Sequence, residues 1–195
     1  MPFTNLPQMF FTRAADLSTR PRYRYRAGDA WREVTWAETE ARVLAIAAAL
    51  LDDGVRVGDR VAILSATRPE WMEIDLAILA CGALTIPIYQ SSLIAECGYI
   101  IANSESSLAL VENAKQRAKI DELTAHGFEL DGVRQTVQLR RVVTIDDGDG
   151  PGSLRALLER GREALPRRAL GRDAREDLHD RGGADRADCA PALLA

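Results

Sequence analysis

Two short polar segments stand where a ligand could bind. Ser65-Ala66-Thr67-Arg68 leaves an apolar strand pattern and enters a helix, and Tyr89-Gln90-Ser91-Ser92 follows the next apolar strand in the same way. Helix N-terminal amides attract anions, and doubly wound folds bind ligands at the carboxyl ends of their strands. The simpler interpretation is that Thr67, and Ser91 or Ser92, only cap the helices that follow, because every strand–helix unit has such a turn.

The usual catalytic constellations are missing from this sequence. It has only two histidines, His126 and His179, and neither has a partner at metal-ligand spacing. The only lysines, Lys115 and Lys119, lie on one predicted exposed helix face with no glycine-rich loop before them, which excludes a Walker phosphate loop. The segment 54–58 lacks the spacing of a dinucleotide-binding loop. We therefore predict no catalytic residue and no metal site, and we leave cofactor-binding residues unassigned.

Three other features have a structural and a functional interpretation. The acidic pairs Asp52-Asp53 and Asp146-Asp147 lie at predicted turns, where solvated charge is the simplest interpretation. Trp71 lies on a predicted helix and is typical of half-buried packing. An exposed tryptophan at a dimer face is the alternative for this residue.

The segments that position these residues alternate between the hydrophobic patterns of strands and of helices. A capping box, Thr35-Trp36-Ala37-Glu38, begins a helix, and strand segments with uncharged interiors at 60–65, 84–88, 108–111 and 141–145 alternate with helical segments. Uncharged, β-rich runs between helices are typical of a parallel sheet covered on both faces. The sequence therefore predicts an α/β fold with a parallel-type sheet and helices on both of its faces.

The N-terminal residues and one apolar stretch need separate interpretation. Residues 8–17 predict a short helix, and residues 22–26 and 31–34 predict a hairpin that turns at Gly28-Asp29. The uncharged stretch 76–95 has 20 residues, which is long enough to span a bilayer, but it contains the three consecutive polar residues Gln90, Ser91 and Ser92. We interpret it as a helix end, a turn and a buried strand.

The C-terminal residues have a different composition. A helix is predicted over Ser153–Arg160, closed by Gly161. The 50 residues after Ile145 contain no Val, Ile, Met or aromatic residue, and 12 of the 30 residues from Pro166 onward are charged. Such a stretch cannot bury enough apolar surface to offset its ordering entropy. We therefore predict a folded unit over residues 1–165 and disorder over 166–195.

Composition narrows the class of protein. The chain has 195 residues, is 47% hydrophobic and carries a formal net charge of −4, which does not fit a basic nucleic-acid binder. Its three cysteines, Cys81, Cys97 and Cys189, form no CxxC motif, which excludes a disulfide scaffold and a zinc module. The N-terminus lacks the layout of a signal peptide. These features predict a cytoplasmic protein with reduced thiols.

Residues 6–165 also resemble a known family when they are taken in order. The segments are WREVTWAETEARVLAIAAALLDDGVRVGDRVAILSATRPEW, MEIDLAILACGALTIPIYQSS and YIIANSESSLALVE, followed by AKQRAKIDEL, RRVVTIDD and SLRALLERG. Their order resembles that of AMP-forming acyl-CoA synthetases. The pieces GDRVAILSATRPEW and GALTIPIY are most similar to the long-chain fatty-acid branch.

The resemblance implies a two-step ligase. Such enzymes join a fatty acid to AMP with ATP and Mg²⁺, release pyrophosphate, and pass the acyl group to coenzyme A. The family's phosphate-binding loop, rich in Ser, Thr and Gly and ending in Pro-Lys-Gly, should follow the SLRALLERG helix. Residues 171–183 stand there and contain no Ser, Thr or Lys. None of the family's ATP-binding or catalytic residues can therefore be placed on this chain.

We therefore expect the N-terminal fragment of a long-chain fatty-acid–CoA ligase, inactive by itself, and leave open whether the chain is an enzyme. A non-catalytic nucleotide-binding, acyl-binding or interaction module is the alternative, and a small Rossmann-like enzyme is disfavoured because the glycine fingerprint is missing. The tail is rich in Arg, Ala, Gly and Asp, which suggests a frameshift near Leu165–Leu170 in a GC-rich gene. Contact with a membrane surface and homodimerisation are left open.

Overall fold

The computed structural model describes residues 3–146 and 148–168, and the side chains of the last three of these lie outside that description. Six helices and eight strands occur in the described residues. In chain order they are α1 Leu6–Leu17, β1 Pro21–Ala27, β2 Ala30–Thr35, α2 Trp36–Asp52, β3 Arg60–Leu64, α3 Pro69–Ala80, β4 Leu84–Ile88, α4 Ile94–Asn103, β5 Leu108–Val111, α5 Ala114–His126, β6 Phe128–Leu130, β7 Val133–Gln135, β8 Arg141–Thr144 and α6 Leu154–Arg168.

The central sheet has four parallel strands in the order β4-β3-β5-β8. Ala62 at the middle of β3 pairs with Ile86 on one side and with Ala109 on the other. These strands match the four strand segments predicted from the sequence to within a residue at each end. β3 lies between β4 and β5, and its residues 61–64 are buried. A strand that is buried in this way carries no charged side chain in its interior.

Helices cover both faces of this sheet, as the sequence predicts. One hydrophobic core joins α1, α2, α3 and α6 to one face, with Ile46, Ile63 and Leu157 among its fully buried side chains. The second core joins α4 and α5 to the other face, around Leu64 and Ile120. The α/β assignment is therefore confirmed.

The predicted start of α2 is confirmed in atomic detail. The Glu38 amide donates to Thr35 Oγ1 at 3.2 Å, and the Thr35 amide donates to Glu38 Oε2 at 2.8 Å. This reciprocal pair satisfies two of the amides that a helix N-terminus leaves without intrahelical partners. Gly54 follows the helix with a φ of +84°, the left-handed conformation expected just after a helix end.

The prediction for α6 is wrong at its end. Gly161 does not close the helix, which continues to Arg168. A Cβ built on Gly161 would lie 1.8 Å from the backbone oxygen of Ala45 in α2. The glycine is therefore there because α6 crosses the backbone of α2 at this point, not because the helix stops. The last three residues of α6 fall within the segment 166–195 that was predicted to be disordered, and residues 169–195 lie outside the described part of the chain.

Two antiparallel hairpins lie outside the central sheet. β1 and β2 form the predicted N-terminal hairpin, which turns at Gly28. β6 and β7 form a second, shorter hairpin that the sequence did not predict. The stretch 76–95 contains the end of α3, a turn and β4, as interpreted, and no helix in the described residues is long and apolar enough to cross a membrane.

Candidate functional site

A cavity of about 420 Å³ opens at the carboxyl ends of β3 and β4. Both polar segments singled out in the sequence contribute to its wall, so the structure brings them together. Neighbouring parallel strands end at the same edge of the sheet, so the loops that follow them lie side by side. This topology explains why the two polar segments line one cavity. The lining residues are Ser65, Ala66, Thr67, Trp71, Pro87, Ile88, Tyr89 and Gln90.

Two donors of the loop after β3, the Ala66 amide and the Ser65 hydroxyl, are used within the protein. The Ala66 amide donates to the carboxylate of Glu112 at 2.8 Å, and Ser65 Oγ donates to the Ala66 carbonyl at 2.9 Å. Glu112 follows β5, the strand beside β3, so a carboxylate of the chain lies where an anion was predicted. Capping by Thr67 is wrong, because Arg68 is the N-cap residue of α3 and makes no side-chain cap bond.

Arg68 is bound by two carboxylates. Its Nε donates to Glu70 at 2.8 Å and its Nη1 donates to Asp146 at 2.9 Å. The hydrogen bonds to Asp146 and Glu70 outweigh partial burial and raise the pKa of Arg68 above its usual value. Asp146, interpreted as solvated charge, therefore ties the end of β8 to the start of α3, whereas Asp147 lies outside the described residues.

The loop after β4 is held from α5. Gln116 Nε2 and Lys119 Nζ both donate to the Gln90 carbonyl at 3.0 Å, and Lys119 Nζ also donates to the Ser92 carbonyl at 2.7 Å. Lys119 was predicted on an exposed face and instead anchors this loop. Capping of α4 by Ser91 or Ser92 is also wrong, because the N-cap residue is Leu93 and its amide donates to the Glu96 carboxylate at 2.8 Å.

The aromatic residues at the cavity differ in burial. Trp71 is half-buried and packs on the core that α1, α2, α3 and α6 share, which confirms the packing interpretation. Tyr89 is 82% exposed at the cavity mouth. A dimer face at Trp71 stays a prediction.

Other candidates from the sequence lie away from the cavity. His126 is the last residue of α5, Lys115 is exposed, and Cys81 and Cys97 are buried and form no disulfide with each other. Within residues 3–146 and 148–168, no three His, Cys, Asp or Glu side chains are grouped to hold a metal ion. His179 and Cys189 lie outside the described residues.

Asp53 was interpreted as a solvated turn residue, and this interpretation is wrong. Its side chain is only 10% exposed. Arg141 of β8 donates to it at 3.0 Å, and Arg160 of α6 donates to both of its oxygens at 2.9 and 2.8 Å. Asp53 therefore joins the end of α2 to β8 and α6. These two elements are distant from Asp53 in sequence and contact it only in the folded chain.

A second buried carboxylate was missed by the sequence reasoning. The side chain of Glu73 on α3 is 1% exposed and accepts from Arg42 Nε at 2.7 Å and from the Tyr23 hydroxyl at 2.9 Å. Burial raises the pKa of Glu73, and the bonds to Arg42 and Tyr23 offset part of this rise. Helical periodicity offers no signal for such a residue, because its two partners come from other elements.

Comparison with known proteins supplies a family context for this geometry. A family profile described as "AMP-binding enzyme" matches residues 10–177. The long-chain-fatty-acid–CoA ligase FadD15 of Mycobacterium bovis is 33% identical over 170 residues, which are 85% of this chain and 27% of that protein. The chain thus spans about a quarter of the length of this relative and of its Mycobacterium tuberculosis counterpart.

Solved structures show the same fold. The Mycobacterium tuberculosis fatty acyl CoA synthetase matches with a TM-score of 0.61 at 24% identity, over 83% of this chain and 28% of that one. The anthranilate CoA ligase AuaEII, in complex with anthranoyl-AMP, matches with a TM-score of 0.64 at 18% identity, over 82% of this chain and 28% of that one. At these identities the likeness establishes the fold alone.

Proposed function

Because this chain belongs to the AMP-binding enzyme family, we propose that it is the N-terminal part of a long-chain fatty-acid–CoA ligase. The ligase would form an acyl-adenylate from ATP and a fatty acid, releasing pyrophosphate. It would then transfer the acyl group to the thiol of coenzyme A and release AMP. The observation that carries the proposal is the 33% identity to a long-chain-fatty-acid–CoA ligase over 170 residues.

We assign no phosphoryl chemistry to residues 1–168. Adenylation needs donors or cations that stabilise charge on the transferring phosphate, and a metal ion to neutralise it. Two of the strongest donors near the cavity are engaged within the protein, because Glu112 accepts from the Ala66 amide and Glu70 and Asp146 accept from Arg68, the residue after Thr67 of the cavity wall. The described residues also offer no group of three metal ligands. These residues therefore do not fit Mg²⁺-ATP, and the phosphates would bind to a later part of the ligase.

The cavity supports a role in the shape of the site. Trp71, Pro87 and Ile88 give it an apolar wall, and α5 holds its outer loop at the Gln90 carbonyl. A wall that is fixed by hydrogen bonds from another element keeps its form when a substrate arrives. In this proposal, the chain contributes a rigid support for substrate and leaves the reacting groups to the rest of the ligase.

The compartment of the ligase belongs to the same proposal. We place it in the cytoplasm, where thiols stay reduced. Cys81 and Cys97 are both buried and form no disulfide with each other, which supports this placement.

ATP–pyrophosphate exchange with a long-chain fatty acid tests the proposal. The 195-residue chain alone should give no exchange above a reaction without enzyme. A chimera should restore exchange when residues 1–168 replace the matching N-terminal part of the M. bovis ligase. The unmodified M. bovis ligase is the positive control, and a cooperative unfolding transition shows that each polypeptide is folded.

Two results would contradict the proposal. Exchange by the 195-residue chain alone would show that it carries its own phosphate-binding groups. A folded chimera without exchange would show that this chain does not replace the N-terminal part of a ligase, and would favour the non-catalytic binding module.

A further inference from the structure

Two side chains of α5, Gln116 and Lys119, bind the loop that follows β4. Both donate to the Gln90 carbonyl at 3.0 Å, and Lys119 Nζ also donates to the Ser92 carbonyl at 2.7 Å. The pair Gln116 and Lys119 is called the α5 clamp below. The α5 clamp binds main-chain carbonyls, so it fixes the path of the loop whatever side chains the loop carries. The next residue, Ile120, is fully buried in the core on that face of the sheet, which anchors the α5 clamp on a rigid helix.

The loop that the α5 clamp holds forms the outer side of the cavity at the carboxyl ends of β3 and β4. Tyr89 and Gln90 line the cavity, and the Ser92 amide donates to the Tyr89 carbonyl at 3.0 Å, so this segment is a hydrogen-bonded turn. Neither clamp residue is among the residues that line the cavity. The α5 clamp therefore holds the wall from behind. A shift of the turn would move Tyr89 and Gln90 and leave the opposite wall, with Trp71 of α3, in place.

The side-chain amide of Gln116 is oriented by the loop at a cost to the fold. A main-chain carbonyl only accepts, so the Gln116 nitrogen must point to Gln90 and the Gln116 oxygen must point away. That oxygen, Oε1, is buried and has no hydrogen-bond partner among the described residues, and the whole residue is only 4% exposed. A buried acceptor without a partner lowers stability, so an apolar side chain of similar size would suit the fold better. The bond to the loop is therefore what glutamine supplies at this position.

We propose that Gln116 and Lys119 are positioning residues of the ligase, which set its affinity for the chain-like substrate that lies in the cavity. This inference rests on the proposed function. Trp71, Pro87 and Ile88 give the cavity an apolar wall. Such a wall suits an uncharged, flexible chain, either the acyl chain of the fatty acid or the thiol-bearing arm of coenzyme A. The α5 clamp touches no reacting group in this arrangement, so its loss should raise KM and leave kcat nearly unchanged.

Hydrogen exchange in the 195-residue chain tests the first step, the hold on the loop. Lys119→Met keeps a long side chain and removes all of its donors, so the Ser92 amide should exchange about ten-fold faster. Lys115→Met is the matched control, because it makes the same change one turn earlier at an exposed position and should leave this exchange unchanged. Lys119→Arg retains donors and should restore most of the protection. The urea midpoints of the lysine variants should stay close to that of the parent, and Gln116→Met should match or exceed it.

The kinetics of the chimera described above test the second step, the effect on substrate. In acyl-CoA formation, Lys119→Met should raise the KM for the fatty acid or for coenzyme A about five-fold, and should change kcat and the KM for ATP by less than about two-fold. The substrate whose KM rises is the one that lies in the cavity. Lys115→Met should leave all of these values unchanged, and Lys119→Arg should restore most of the affinity.

The outcomes separate this inference from the proposed function. A Ser92 amide that exchanges equally fast in Lys119→Met and in the parent would overturn the hold on the loop. Unchanged KM values for the fatty acid and coenzyme A, or a lower urea midpoint with faster exchange throughout the chain, would assign Gln116 and Lys119 a purely structural role. A folded chimera that is inactive with its native residues would contradict the proposed function instead, and hydrogen exchange in the 195-residue chain would then decide whether the α5 clamp holds the loop.

Discussion

Replacing Gly161 by alanine puts two physical effects in opposition. Glycine in a helix interior is less favourable than alanine by about 1 kcal/mol, so propensity alone predicts that Gly161→Ala stabilises the protein. The crossing of α6 on α2 predicts the reverse. The new methyl carbon would lie 1.8 Å from the carbonyl oxygen of Ala45 and 2.6 Å from its carbonyl carbon. Both atoms are backbone, so no side-chain rotation relieves the overlap.

The size of the loss follows from this geometry. The two helices would have to separate by roughly 1.5 Å before the methyl group reached ordinary contact. Separation at this point also loosens Leu157 and Leu158, which are buried in the same core as α2. Overpacking of a core costs about 1–3 kcal/mol and occasionally more. The overlap is with backbone, so we take the upper end of about 3 kcal/mol, and after the propensity gain of about 1 kcal/mol is subtracted we expect Gly161→Ala to lower the free energy of unfolding by about 2 kcal/mol.

Urea unfolding followed by circular dichroism measures this loss. Glu163→Ala is the control, because Glu163 is exposed on the same helix and should change the free energy of unfolding by less than about 0.5 kcal/mol. A Gly161→Ala variant that is as stable as the parent, or more stable, would refute the close approach of α6 to α2. Such a result would restore the interpretation of Gly161 as the end of the helix.

The remaining predictions concern the two buried carboxylates. Asp53→Asn should lower the free energy of unfolding by about 2 kcal/mol, because Arg141 and Arg160 lose their charged partner while staying largely covered. Urea unfolding measures this loss, and a variant as stable as the parent would contradict the prediction. Glu73 has a pKa above its usual 4.5 in the folded protein, so the folded state holds its proton more tightly. Its contribution to stability is therefore greatest below pH 4.5 and declines as pH rises through the folded pKa. When the free energy of unfolding is measured as a function of pH, this decline should be absent from the Glu73→Gln variant. Parallel pH curves for the variant and the parent would show that the Glu73 pKa is not raised.

Much of the fold could be predicted because its signals are local. The runs at 61–64 and 108–111 are apolar because both sheet faces are covered, and this requirement is visible in the residues themselves. The capping box at Thr35 and the proline at the start of α3 are equally local. The hairpin of β6 and β7 was missed because its strands are three residues long and only Phe128 is buried.

Much of the candidate site could not be predicted, because its bonds join residues that are distant in sequence. Parallel topology predicts that the loops after β3 and β4 lie side by side. It does not predict which side chains bind these loops. Glu112 reaches the Ala66 amide across 46 positions, and Lys119 reaches the Ser92 carbonyl across 27. Local patterns instead suggested Thr67, Ser91 and Ser92 as helix caps, since these residue types cap helices elsewhere.

The position of α6 also sets a minimum length for the growing chain on the ribosome. β3, β4 and β5 are complete by residue 111, yet α2 finds its partner helix only when Leu157 has been synthesised and has left the exit tunnel. Until then the side of α2 that faces α6 is open, and an intermediate of this kind associates readily with chaperones or with other nascent chains. A ribosome that pauses before α6 has left the exit tunnel therefore holds a chain whose first core is open, and this core closes only after Leu154, Leu157 and Leu158 have emerged.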